Sequence, residues 1–166
     1  MKKITLVLTS FILVAGMIAI TAFKTLPPSR PSANGQGALD LGLAKIQHFS
    51  FHASTDNNGN VSGSFEVKSA SQDIRLHGDI SCLKVLTDGK TAFMSGVVTQ
   101  RTGDGFPGFY NVGDVVFFKV QDNGEGSNAA GDKFSDVYTN GINPICNAAV
   151  PMPLLNIANG NIQVKP

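Results

Sequence analysis

The sequence predicts an all-β domain, an antiparallel sandwich or small barrel of about seven to eight strands with one disulfide. Three observations carry that prediction. Apolar and polar residues alternate from residue 45 onward, and no window of about 12 residues keeps a helical apolar stripe free of Gly or Pro. Gly and Pro are plentiful, 18 and 8 of 166 residues. Charged residues make up only 15% of the chain, below the roughly 25% of soluble proteins and a poor supply for solvated helices.

The elements follow in order. A first strand is expected around Gly37 to Leu41. Ile46 to Ala53 alternates, with Phe49 and Phe51 on one face and His48, Ser50 and His52 on the other, and Asp56-Asn57-Asn58-Gly59-Asn60 turns it into Val61 to Lys68 as a hairpin. Ile74 to Val85 sets Ile74, Leu76, Gly78 and Ile80 against Arg75, His77 and Asp79, and Thr87-Asp88-Gly89-Lys90 turns it into Thr91 to Thr99. Residues 100–112 form a Gly-rich loop, after which Asp114 to Gln121 reads as a buried strand. Asp122 to Asp132 is a second long polar loop, and Phe134 to Thr139 is a short strand. Residues 140–155, with Pro144, Pro151 and Pro153, wrap the surface; a last strand lies near Asn161 to Lys165. Alternation is common to sandwiches and barrels and leaves both open.

Ahead of this domain, Met1-Lys2-Lys3 precedes Ile4 to Phe23, a run of about 20 uncharged, mostly apolar residues that reads as a secretory signal. Small residues at Ala19 and Ala22 suit cleavage after Ala22, whereas the same run is long enough to remain as an anchor with Lys2 and Lys3 inside. Residues 1–22 are therefore the signal peptide or an uncleaved anchor. Residues 23–33, with Pro27, Pro28 and Pro31, are a spacer, and 34–166 form a single β domain. The expected location is secreted, periplasmic or cell-envelope. Membrane contact is expected only through the N-terminal segment, if it is uncleaved.

Net charge is +1, and from Asn34 onward nine basic residues face twelve acidic ones without a Lys or Arg cluster. Nucleic acid is therefore not an expected partner; the expected one is an extracellular or periplasmic ligand. Cys82 and Cys146 can pair in only one intramolecular way, and export brings them to an oxidising compartment, so one disulfide is expected against the alternative of two buried thiols. Neither Cys has a second Cys or a His at metal-ligand spacing.

Several motifs carry chemistry by letter. Gly103-Asp104-Gly105-Phe106-Pro107-Gly108 matches a dinucleotide fingerprint, but Phe109 to Gly113 opens no helix on which a pyrophosphate could sit. The same loop carries Phe106, Phe109 and Tyr110, which either present aromatic surface to a ligand or fold over one end of the core. Asp56 to Asn60 has its Gly and its twelfth residue misplaced for an EF-hand and reads as a hairpin turn. Asp122, Glu125 and Asp132 share a flexible loop and are the weak alternative for a cation such as calcium; no metal site and no cofactor is otherwise expected. His48 and His52 share a strand face about 13 Å apart, too far to chelate. Arg75, His77 and Asp79 gather a cation, a base and an acid on one face: catalytic if they line a barrel interior, an ordinary charged surface if they face water. No Gly-x-Ser-x-Gly elbow appears.

Taken together, Gly78-Asp79-Ile80-Ser81-Cys82-Leu83-Lys84-Val85, Ser95-Gly96-Val97-Val98, Val120-Gln121-Asp122-Asn123-Gly124-Glu125-Gly126, Asp132-Lys133-Phe134-Ser135 and Gly160-Asn161-Ile162-Gln163-Val164 resemble an uncharacterised family of small exported bacterial β-domains. Where such chains have glycines near the first strand, this one has Gly35 and Gly37. The resemblance implies a secreted bacterial β-domain, with no activity or catalytic residue to transfer. The expected function is a non-catalytic ligand-binding or structural module. The alternative is a small β-barrel lyase, isomerase or hydrolase built on a polar cavity around His77.

Overall fold

Nine strands and no helix make up the secondary structure of the computed structural model, which describes residues 30–43, 45–125, 129–139, 146 and 150–166. The leader at 1–22, the spacer up to residue 29 and most of the wrapping segment, 140–145 and 147–149, lie outside the described residues. The strands are β1 (Ser32–Asp40), β2 (Ile46–Thr55), β3 (Val61–Ser69), β4 (Ile74–Val85), β5 (Thr91–Thr102), β6 (Val115–Gln121), β7 (Lys133–Phe134), β8 (Tyr138–Thr139) and β9 (Leu155–Lys165). All pairings are antiparallel. β1 to β6 form a meander, and β6–β7, β7–β9 and β9–β1 complete a closed eight-stranded barrel, with β8 an extra strand on β6. Closure resolves the choice between sandwich and barrel, with the seam between β6 and β9 bridged in the ladder by the two-residue β7.

Boundaries differ from expectation at the ends of the chain. β1 starts at Ser32, inside the stretch read as spacer, and β9 starts at Leu155, well before Asn161. Both strands carry Gly and Asn where side-chain alternation would show, and their ladders with each other extend them, broken only by a register shift at Ala38/Leu39. β5 runs on to Thr102, and the strand expected over Phe134 to Thr139 is split into β7 and β8 by Ser135 to Val137.

The barrel interior is filled by phenylalanines. Phe49, Phe51, Phe65, Phe118 and Phe134 are all buried. Phe49 stacks on Phe134 with ring centroids 4.1 Å apart, and Phe118 lies 5.4 Å from Phe134 and 6.1 Å from Phe65. Glycines make room for three of these rings. In the ladder register Gly35 faces Phe51, Gly37 faces Phe49 and Gly78 faces Phe65, and a Cβ on Gly35 or Gly78 would run into the ring opposite. The outer wall of β1 to β3 carries the other set of alternating residues: His48, Ser50 and His52 are exposed between the buried residues of β2. This polar-out, apolar-in wall is the reverse of a lipid-facing barrel.

A smaller apolar cluster sits apart from the barrel core. Cys82, Phe93 and Met152 are buried there, with Phe117, Tyr138 and Val150 packed around them. The Cys82–Cys146 disulfide, spanning 64 positions with Cα atoms 5.6 Å apart, adds a covalent tie to the wrapping segment. It is compatible with an oxidising extracellular or periplasmic location.

The seam of the barrel is closed by carboxylates. β7 pairs with only Leu155 and Asn156 of β9, so the rest of β9 needs other acceptors on that side. Asp132 supplies its carbonyl to the Ile157 N–H at 3.0 Å and its Oδ2 to the Ile162 N–H at 2.7 Å; Asp122 Oδ2 takes the Val164 N–H at 3.0 Å.

Candidate functional site

The two ends of the barrel differ in kind. One end holds the Asp56–Asn60 and Leu86–Lys90 turns, whose hydrogen bonds are made by Asp56 and Asp88. Their carboxyls are held below the usual aspartate range by hydrogen bonds, from Asn60 in the first case and Thr91 in the second. At the other end lie the β1–β2 and β3–β4 turns and the β5–β6 loop. Five of the six large exposed hydrophobic residues among the described residues belong to this second end: Leu43, Ile46, Phe106, Phe109 and Val112; the sixth, Leu155, stands on β9 opposite Phe134 of β7.

A small pocket opens there. It has a volume of about 130 Å³ and is walled by Val67, Ile74, Leu76 and Val137, with Phe106 and Tyr110 at the loop side and Gln47, Gln72 and Asp136 as its polar groups. That is close to the size at which an engineered apolar cavity takes up a single benzene ring. Gln47 lies on the same face of β2 as Phe49 and Phe51 and is only 5% exposed. Its Nε2 has no hydrogen-bond partner among the described residues. The Asp136 carboxyl receives the Val137 N–H on Oδ1 at 2.7 Å. Burial pushes its pKa upward, against the lesser lowering influences of that bond and of the facing Gln47 amide. Tyr110 donates to the Val137 carbonyl at 2.9 Å, and burial, with the nearby Asp136 charge, pushes its phenol up to about 12.

The loop that carries the rings is held at its base. Arg101 donates from Nη1 to the Gly103 carbonyl at 2.6 Å and from Nη2 to the Gly105 carbonyl at 2.5 Å. Asp73 in the β3–β4 turn takes the Asp104 N–H on Oδ2 and the Gly105 N–H on its carbonyl, each at 2.9 Å. Phe106 and Tyr110 both have positive φ, 55° and 57°, a strained setting for aromatic residues. Of the three sequence-predicted ligand residues, Tyr110 packs against the core and lines the pocket, Phe106 lines it while remaining 41% exposed, and Phe109 stands outside it at 59% exposed. The dinucleotide-like motif is this same loop, joining two strands.

The acid–base cluster has a different membership from the one expected. Arg75 and His77 both meet Glu66, at 3.1 Å from Arg75 Nε to Oε1 and 3.1 Å from His77 Nε2 to Oε2. Asp79 stands beside Ser64 in the ladder, two pairs further along than the Glu66–His77 rung. All of this lies on the outer wall: the His77 side chain is 37% exposed and lines an open groove of about 470 Å³ with Gln36, His52, Glu66 and Gln163. His52 Nδ1 is 3.2 Å from Ser64 Oγ and makes no pair with His48.

The cation candidates are engaged by the backbone. Asp132 takes the Asn123 and Ile162 N–H groups, Asp122 takes those of Gly124 and Val164, and Glu125 is exposed beside them. Among the described residues no three His, Cys, Asp or Glu side chains are placed to hold a metal ion.

Sequence reasoning missed Gln47 and Asp136. Gln47 left a signal, being the one buried polar residue on the apolar side of β2, whereas Asp136 reaches the pocket only through the break between β7 and β8. No protein-family model, curated protein or solved structure was found to match the chain.

Proposed function

We propose that this is an exported, non-catalytic ligand-binding domain that takes a small molecule at the apolar end of its barrel. The observation that carries the reading is the mouth pocket itself: apolar walls, a buried amide nitrogen without a partner and a pinned loop of aromatic residues over it. The leader and the Cys82–Cys146 disulfide support work outside the cytoplasm, in the periplasm, the cell envelope or the medium. The geometry favours binding over a small β-barrel lyase, isomerase or hydrolase. His77 and Glu66 face an open outer groove, where water screens them and nothing encloses a substrate.

The test is a ¹H–¹⁵N NMR titration of the disulfide-intact protein with toluene, the size of a ring the pocket can admit. Shifts centred on Leu76, Phe106, Tyr110 and Val137 are expected, with the Asp56–Asn60 end unmoved. Shifts confined to His52, Glu66 and His77, or none, count against the reading.

A further inference from the structure

We infer that the mouth pocket is selective for an uncharged head group that both accepts and donates hydrogen bonds, carried on an apolar body: an amide-headed or hydroxyl-headed amphiphile. The inference rests on the reading of the mouth as a ligand site and adds the chemistry of what enters it. Two polar groups on the pocket wall set the demand. Gln47 Nε2, buried and unpartnered, offers an N–H that needs an acceptor. Asp136 offers a carboxylate oxygen beyond the one that takes the Val137 N–H; the Gln47 amide faces this carboxyl without closing a hydrogen bond to it, so a head group that accepts from Gln47 and donates to Asp136 satisfies both. A carboxylate head would bring one more acceptor, and a negative charge, against Asp136. An ammonium head would suit Asp136 but has no lone pair for the Gln47 Nε2 N–H. An amide or an alcohol satisfies both at once.

The body of the ligand follows from the walls and the rim. At about 130 Å³ the pocket admits a head group and a few carbons. What remains of the molecule must lie over the mouth, where Phe106 exposes apolar surface and the same loop carries the exposed Phe109 and Val112. These residues are on the β5–β6 loop that borders the opening, so an apolar tail emerging from it would cover them in place of water.

The experiment compares hexanamide, hexanoate, hexylammonium and toluene by NMR titration of the disulfide-intact protein at pH 7, with Gln47→Leu as the variant. Hexanamide should shift the Gln47 side-chain amide together with Tyr110 and Val137, and bind about tenfold or more tighter than either charged analogue. Gln47→Leu should weaken hexanamide about tenfold relative to toluene. Equal or tighter binding of hexanoate or hexylammonium overturns the inference, as does a Gln47→Leu variant that keeps full affinity for hexanamide. If toluene binds at the mouth and hexanamide gains nothing over it, the head-group inference falls while the ligand site stands; if none of the four moves the mouth, both fall. Should the variant fail to fold, the head-group series on the unaltered protein decides alone.

Discussion

Truncating Asp132 to alanine is expected to cost the barrel about 3–4 kcal/mol, because its carboxylate stands in for a missing strand. The side chain is 7% exposed, its Oδ1 takes the Asn123 N–H at 2.9 Å and its Oδ2 takes the Ile162 N–H at 2.7 Å. Ile162 is itself fully buried, so water cannot replace the lost acceptor there. Leaving a buried donor unsatisfied costs about 1–3 kcal/mol, and Asp132→Ala leaves one such donor at Ile162 and a second, partly buried one at Asn123. For a domain of this size that corresponds to a drop in Tm of roughly 10 °C. Asp122→Ala should cost less, about 1–2 kcal/mol, since it frees the partly buried Val164 N–H and the exposed one of Gly124. Glu125→Ala should be close to neutral. Urea unfolding followed by far-ultraviolet circular dichroism, with calcium and with chelator, measures all three. A loss under 1 kcal/mol for Asp132→Ala would refute the seam argument. So would a calcium-dependent rise in Tm that disappears in Asp132→Ala, because the carboxylates would then be serving an ion rather than β9.

Four further outcomes are expected. Gln47→Leu should raise stability by about 1–2 kcal/mol in the unliganded protein, since it removes a buried amide nitrogen without a partner, and urea midpoints will show it. Gly78→Ala should destabilise by about 2–3 kcal/mol, the added methyl colliding with the Phe65 ring and the Val97 carbonyl; a thermal melt within 2–3 °C of the unaltered protein would contradict that packing. Replacing both Cys82 and Cys146 by serine releases a loop closed across 64 positions and should cost about 4 kcal/mol in the chain-entropy picture, read from the same urea curves. Asp136 has its carboxyl pKa raised above 3.8 by burial, so the fold favours its protonated form. Its contribution is whole below about pH 4 and is lost as pH climbs through the raised value. Asp136→Asn should therefore be more stable than the unaltered protein at pH 7 and gain little at pH 3.5; an equal gain at both would remove Asp136 as the cause.

Much of the barrel was legible along the chain because strand alternation is a local property. β2 shows it along nearly its whole length and β4 as far as Cys82, and the Asp-Gly turn between β4 and β5 is a short-range signal. β1 and β9 were harder, since Gly35, Gly37 and Gly160 erase the apolar half of the pattern. Gly35 and Gly37 make room for rings on β2 and Gly160 for the β1 backbone, and a one-dimensional reading cannot see across a ladder. The acid–base cluster failed for the same reason: Asp79 is close to His77 in sequence, whereas Glu66 is close to it in the sheet.

What the sequence determined by itself is the all-β class, the turns, the pairing of two cysteines that have no other choice, and an aromatic loop between two strands. Each depends on neighbours a few residues apart or on simple counting. The tertiary structure decided the rest: that the sheet closes, that Asp122 and Asp132 close its seam, that most of the large exposed apolar side chains among the described residues fall at one end, and that Gln47 and Asp136 face each other beneath Phe106 and Tyr110. Those are consequences of register and closure, which bring together residues as far apart as 47 and 136, and no local pattern encodes that distance.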